Sequence, residues 1–534
     1  MRKLLFVLGF MPSLLLSQDI LWEKSYGGQH SEYLFDAQPT ADYGFILAGS
    51  SLSEKTGNKS MASRGDLDYW IWKMDEHGEL DWQKSFGGSG MDLLKSIMLT
   101  NDGGFILAGS SDSPKGLDKK EDSHGQSDYW VIKIDAKGGE QWQLTIGGSG
   151  QDDLKSIIPT LDGGYILGGT SNSDKCLKAD LEKPDYHGKI DQNFGSSDFW
   201  LIKLNSAGKI EWQKTLGGDF LDVFTSIQQV KDKGYIVGGY SNSPESGNKI
   251  SQNFGAGDFW VIKLDEMGEV QWQQSYGGEE DDQLFVVQQS FDNNIYLAGS
   301  SISGTSGNKS KSNQSGTDCW LIKIDTRGEV LWQDTYNIGK VDLLTSVIEN
   351  DDHSILLGCY AASEVGGSAK VDKEDINDYV VLKLDEKGDE KWRKVVGSNG
   401  QDILVKAFES RDGGYILAGT AKGKVSRDRN SAKGRDDFWV VKLKDKDKPD
   451  KNPELIEAIP NPALNFTNII VGYEFVKGTA TVYDLSGRQI QSFVINSRTV
   501  PLDLGSLPEG IYVVQIKTDE STDSVKVIKG ITKN

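Results

Sequence analysis

Apolar and polar positions in this chain alternate in short runs, and no stretch repeats at the spacing of a helix. One unit shows the pattern in full. Leu93 to Thr100 reads as a strand, followed by the turn Asn101-Asp102-Gly103-Gly104 and a second strand from Phe105 to Ser110. A long polar loop leads to a third strand, Tyr129 to Ile134. The turn Asp135-Ala136-Lys137-Gly138 then leads to a fourth, Gln141 to Thr145. Asp bonds its own downstream backbone and Gly accepts positive φ, so both turns have a physical cause. The third strands are apolar on both faces. In one copy Phe199 and Leu201 point one way, while Trp200, Ile202 and Leu204 point the other. Strands of this kind are covered on both sides, as in blades stacked against neighbouring blades.

The unit recurs. Trp22, Trp82, Trp142, Trp212, Trp272, Trp332 and Trp392 are spaced by 60, 60, 70, 60, 60 and 60 residues. The repeat region opens on a fourth strand, Ile20 to Ser25, and closes on a third strand, Phe438 to Leu443. Pairing these two ends closes a ring and removes an exposed sheet edge. A solenoid gains nothing from this offset and needs capping units instead. The pattern predicts an all-β fold: a seven-bladed β-propeller over residues 18–445, closed by an N-terminal strand. A charged linker, 446–454, separates it from a small β-sandwich over 455–534.

Composition narrows the chemistry. The chain has 534 residues and a formal charge of −21, with 58 basic against 79 acidic side chains. It lacks the basic excess that neutralises phosphate, so nucleic acid is excluded as a partner. Residues 1–17 carry Arg2 and Lys3 ahead of the apolar stretch Leu4 to Leu16 and read as a signal peptide, cleaved between Ser17 and Gln18. No later run is apolar enough to predict a transmembrane segment in the mature chain. The three cysteines, Cys176, Cys319 and Cys359, form no CxxC pair, so neither a disulfide framework nor a zinc knuckle is predicted. Cys319 and Cys359 lie in strand-like runs and read as small buried hydrophobes. The five histidines do not align between units, so no zinc site is predicted.

Three acidic series recur. Glu32, Asp92, Asp152, Asp222, Asp282, Asp342 and Asp402 open the first strands. Two readings apply to them. If the first strand lines the central channel, they form a ring of carboxylates at its mouth, suited to a structural divalent cation or to rejecting anions. Otherwise each accepts backbone N–H bonds from its Gly-rich loop, and sevenfold repetition favours this second reading. Asp68, Asp128, Asp198, Asp258, Asp318, Asp378 and Asp437 precede the aromatic third strands and read as caps. Asp42, Asp102, Asp162, Asp232, Asp292, Asp352 and Asp412 lie in hairpin turns. The longest insertion, Lys175 to Asn193, holds Lys183, Asp185, Tyr186 and His187 and reads as a solvated loop rather than a ligand lid. No catalytic residue and no cofactor is assigned.

Two resemblances add to this. The repeats, with segments such as Gly413 to Gly419 (GGYILAG) and Asp258 to Asp265 (DFWVIKLD), resemble secreted propeller proteins of Bacteroidota. That resemblance implies the fold and an export route but no activity. The turn from Asp265 to Trp272 is similar to the Asp-box of sialidase-type propellers, with a longer spacing to Trp. The C-terminal segment resembles the type A sorting domain of the type IX secretion (Por) system, on four motifs in order. They are Ile459-Pro460-Asn461-Pro462, Tyr483-Asp484-x-x-Gly487-Arg488, Leu507-x-x-Gly510-Ile511-Tyr512, and a last strand bearing Lys526 and Lys529. The resemblance implies docking to the type IX machinery, then release or attachment to surface lipopolysaccharide. The expected function is binding of a protein or glycan through the face that carries the long loops. A polysaccharide hydrolase or lyase, or a structural surface component, are the alternatives.

Overall fold

A computed structural model describes residues 18–176, 187–314, 316–362, 376–448, 454–463 and 466–530. The leader with Ser17, and Lys183, Asp185 and Tyr186 of the long insertion, lie outside the described residues. Gln18, the first described residue, is buried.

The described residues contain seven four-stranded antiparallel sheets in a propeller-like fold, followed by a three-stranded and a further four-stranded sheet. The first blade runs Glu32–Pro39, Phe45–Ser51, Asp68–Met74 and Leu80–Phe86. The seventh combines Asp402–Glu409, Tyr415–Lys422 and Asp436–Leu443 with the N-terminal strand Ile20–Tyr26. In that blade Tyr26 lies opposite Phe438 and Ile20 opposite Leu443, so the chain ends close the ring. The innermost strands of the other blades are Asp92–Leu99, Asp152–Pro159, Asp222–Gln229, Asp282–Gln289 and Asp342–Glu349. Each packs against the next, and Glu32–Pro39 packs against Asp402–Glu409 to complete the circle.

Aromatic stacking between blades binds the ring. Six of the seven junctions stack a third-strand aromatic on a Trp of the adjacent third strand. These are Tyr69 on Trp130, Tyr129 on Trp200, Phe199 on Trp260, Phe259 on Trp320, Tyr379 on Trp439 and Phe438 on Trp70. The ring centroids lie 4.8 to 5.0 Å apart, and all six tryptophans are fully buried. The second strand supplies a glycine at this level. A Cβ on Gly109 would lie 2.7 Å from the Tyr69 hydroxyl, so the neighbouring ring occupies that space.

The two rims differ. Short turns join strands one to two and three to four on one rim. There Asp265 accepts hydrogen bonds from the N–H groups of Met267 (2.9 Å) and Glu269 (2.8 Å), and Gly268 takes a φ of +82°. Long loops and the crossings between blades occupy the other rim. The C-terminal unit pairs Ile456–Ile459, Phe466–Val471 and Thr499–Asp503 in one sheet. Its second sheet holds Gly478–Asp484, Gln489–Ile495, Gly510–Thr518 and Thr522–Lys529. Ile469, Val482, Leu502, Val514 and Val527 lie in the core between them.

Candidate functional site

The seven acids that open the first strands do not line the channel. Each is buried and turned into its own blade junction, where it accepts a backbone N–H from the crossing loop. Gly88 donates to Asp92, Gly148 to Asp152, Gly218 to Asp222 and Gly278 to Asp282, each at 2.7 Å. Gly28 donates to Glu32 (2.9 Å), Ile338 to Asp342 (2.7 Å) and Ser398 to Asp402 (2.5 Å). A ring of carboxylates at the channel mouth is therefore absent among these residues: the glycine-rich crossing offers donors on the junction side.

The second acidic series meets the first at the same junctions. Asp128 is buried and accepts the His124 N–H at 2.5 Å. Burial pushes its carboxyl up to about 7, and the charge of Asp152 adds to the rise. Asp258 behaves alike, at about 7, and Asp68 and Asp198 rise to about 6, again through burial first. Six of the long loops also insert a buried base toward these acids: Lys59, Lys119, Lys189, Lys249, Lys309 and Arg429. The third acidic series sits on the short-turn rim and receives a buried lysine from the third strand: Lys73 to Asp42 (2.9 Å), Lys133 to Asp102 (2.8 Å) and Lys203 to Asp162 (2.8 Å). Burial opposes ionisation of Asp102, but the Lys133 hydrogen bond prevails and holds its carboxyl below the usual range. Among the described residues, no group of three or more His, Cys, Asp or Glu is gathered to hold a metal.

What does line the channel is a bulge. The pairing of every innermost strand with its neighbour skips one residue, as between Leu34 and Asp36 or between Leu94 and Ser96. A β-bulge re-aims the extra side chain. The extra residues are Phe35, Lys95, Lys155, Thr225, Phe285, Thr345 and Val405, and all seven border one cavity of about 870 Å³ along the axis. The wall is lopsided. Lys95 and Lys155 occupy adjacent blades, and Lys406 of the seventh blade joins them. Phe285, Val286 and Leu343 of the fifth and sixth blades make the opposite side apolar.

The charges are unevenly compensated. Asp36 is buried and committed: it accepts the Ile97 N–H (3.0 Å) across the junction and faces Lys406 at 3.6 Å. The Lys95 ammonium lies over the Phe35 ring, 3.7 Å from its centroid. Burial first, and the nearby Lys155 after it, lower the Lys95 pKa to about 8 against a pull from Asp153. Lys155 is enclosed by the ring yet its side chain stays accessible from the lumen, and burial lowers its pKa as well. Sequence reasoning missed this cluster. Its signal was a Lys-Ser pair in the middle of otherwise apolar strands, Leu93 to Leu99 and Leu154 to Ile158.

The C-terminal motifs act largely within their own unit. Asn461 donates to the Lys526 carbonyl (2.7 Å) and accepts the Ile528 N–H (2.9 Å), tying the Pro460-Asn461-Pro462 segment to the last strand. Asp484 caps its turn through the Ser486 and Arg488 N–H groups (2.9 and 3.0 Å), and Gly487 takes a φ of +83°. Arg488 is exposed, and Tyr483, one residue before the capping acid, is half-buried. Gly510 opens the strand that places Tyr512, whose hydroxyl donates to the Pro508 carbonyl (2.6 Å). Lys529 is buried and donates to the carbonyls of Leu504 and Leu507, both at 2.5 Å.

This unit docks on the short-turn rim. Glu457 meets Arg411 (2.8 Å) and Tyr43 (2.5 Å), Arg498 meets Glu76 (2.8 Å), and Thr499 donates to Asp42 (3.0 Å). These contacts leave the long-loop rim unengaged. That rim exposes Leu117, Phe220, Ile250 and Val425.

Residues 457–530 match the family model described as a secretion system C-terminal sorting domain. The C-terminal unit is thus the sorting domain of a type IX secretion cargo, and it directs the chain through the outer membrane to the cell surface or the extracellular space. Part of the chain is 28% identical, over 137 residues, to Regulatory protein FlaEY of Caulobacter vibrioides. That match covers 24% of this chain and 14% of the relative. Among solved structures, a Synechocystis apocarotenoid oxygenase mutant aligns at 12% identity and a TM-score of 0.36, covering 78% of this chain and 95% of that one. A luciferin-regenerating enzyme aligns at 11% and 0.30, covering 72% and 94%. Among the described residues, no helix is long and apolar enough to cross a membrane.

Proposed function

We propose that the exported ring is a binding module for an acidic glycan, whose charged end enters the central channel from the long-loop rim. The observation that carries this reading is the pair Lys95 and Lys155 on adjacent bulges, lining the same cavity. Two like charges lining one confined space repel each other: burial chiefly lowers the Lys95 pKa, and the Lys155 charge adds to that shift. An anion between them relieves it. The net charge of −21 makes a basic lumen in so acidic a chain more notable. A volume of about 870 Å³ suits a small saccharide. Phe35 and Phe285 supply flat apolar surface for a sugar ring, and Gln38, Gln228 and Gln288 supply donors and acceptors for hydroxyls. The sorting domain docks on the opposite rim, away from this entrance.

A glycan array probed with the full chain tests this reading. Uronate-bearing or sulfated oligosaccharides are expected to bind and their neutral counterparts to fail. Equal binding to neutral and acidic sugars, or no binding, overturns it. Export has a separate test. Deleting residues 455–534 is expected to retain the protein in the periplasm, whatever the ring binds.

A further inference from the structure

One blade junction departs from the other six, and the departure is coordinated. Between the fifth and sixth blades the third-strand aromatic is replaced by Cys319, and the Trp it would stack on is replaced by Val380. The glycine that elsewhere makes room for the ring is replaced as well, by Cys359. At the other junctions a Cβ in this place would collide with the neighbouring ring: Gly299 would lie 2.7 Å from Phe259, and Gly419 would lie 2.6 Å from the Tyr379 hydroxyl. Three positions on two blades, 40 residues apart for the two cysteines, thus change together. The two sulfurs face each other at 3.1 Å, and both residues are fully buried. That separation is about 1 Å beyond a sulfur–sulfur bond.

We propose that Cys319 and Cys359 are a cross-linking site: a disulfide that joins the fifth and sixth blades once the chain leaves the cytoplasm. The sorting domain sends this protein through an oxidising compartment, where such bonds persist. The junction has lost two large aromatic groups, and a covalent link replaces the stacking that the other six retain. In the reaction two thiols lose two protons and two electrons. A disulfide-bearing oxidase takes them up through a mixed disulfide and leaves as its dithiol. The neighbouring Cys359 and full burial push the Cys319 thiol up, so the closed ring offers little thiolate. The bond therefore forms before the two blades pack.

The test uses the full chain collected after native export. It is unfolded in denaturant with an alkylating agent and no reductant, then digested and read by mass spectrometry. The expected result is a linked Cys319–Cys359 peptide pair that separates on reduction, with Cys176 on the long loop alkylated as an internal reference. Recovery of Cys319 and Cys359 as alkylated single peptides overturns the proposal. A second reading comes from melting: the oxidised chain is expected to unfold about 5 °C above its reduced form. Identical melting before and after complete reduction overturns the claim that the link replaces stacking.

Discussion

The blade junctions and the channel wall are built from the same seven repeats but follow opposite rules. At the junctions nearly every copy keeps the same groups: buried acids on crossing-loop amides, and a ring on a Trp. At the bulges of the channel wall the copies diverge into Phe, Lys, Thr and Val. A position that serves the repeat must satisfy the same packing seven times, whereas a ligand site needs to be built only once. Regularity here marks structure, and divergence marks candidate chemistry.

Four substitutions sharpen that contrast, from the largest expected effect to the smallest. Trp130→Ala empties a fully buried junction and is expected to cost about 3–5 kcal/mol, measured by denaturant unfolding. Asp128→Asn tests the buried acids. Its carboxyl rises in the folded state to about 7 from an ordinary value of 3.8. The folded protein therefore holds a proton that the unfolded chain has released. The stability this group adds is fully present below pH about 4 and is lost as pH rises through about 7. The substitution is expected to flatten that decline in a series of melting curves. The hairpin acids have the opposite sign. Asp102 is held below its usual range, so its contribution is present above the unfolded value and fades as pH falls. Lys133→Met, which removes its partner, is expected to cost about 1 kcal/mol, because Asp102 itself remains half exposed. Lys155→Ala lies on the divergent wall. It is expected to leave stability within about 0.5 kcal/mol, since its side chain is exposed to the lumen. Any large loss there erases the distinction between wall and junction.

Much of the fold was legible in the sequence, because the Trp spacing and the offset strands at the two ends are properties of the chain itself. The hairpin acids were legible for the same reason, since Asp-Gly turns are local. The candidate site was not. A period-two pattern assigns Lys95 and Lys155 to a face by counting, and a single extra residue at the bulge shifts that count. The basic partners of the acids were hidden as well: Lys119 arrives from a polar loop whose path no local pattern fixes. Cys319 and Cys359 read as unrelated small hydrophobes, because their meeting depends on how two blades pack. The docking of the sorting domain through Glu457 and Arg498 likewise joins segments more than 400 residues apart in the case of Arg498 and Glu76.

The most direct measurement is a calorimetric titration of an acidic oligosaccharide into the wild-type chain and into Lys95→Ala/Lys155→Ala. The wild type is expected to bind, with an affinity that declines as pH rises through about 8, where Lys95 loses its charge. The double variant is expected to melt like the wild type and to bind at least about 100-fold more weakly. Equal affinity in the two proteins would contradict the assignment of the channel lysines as the site.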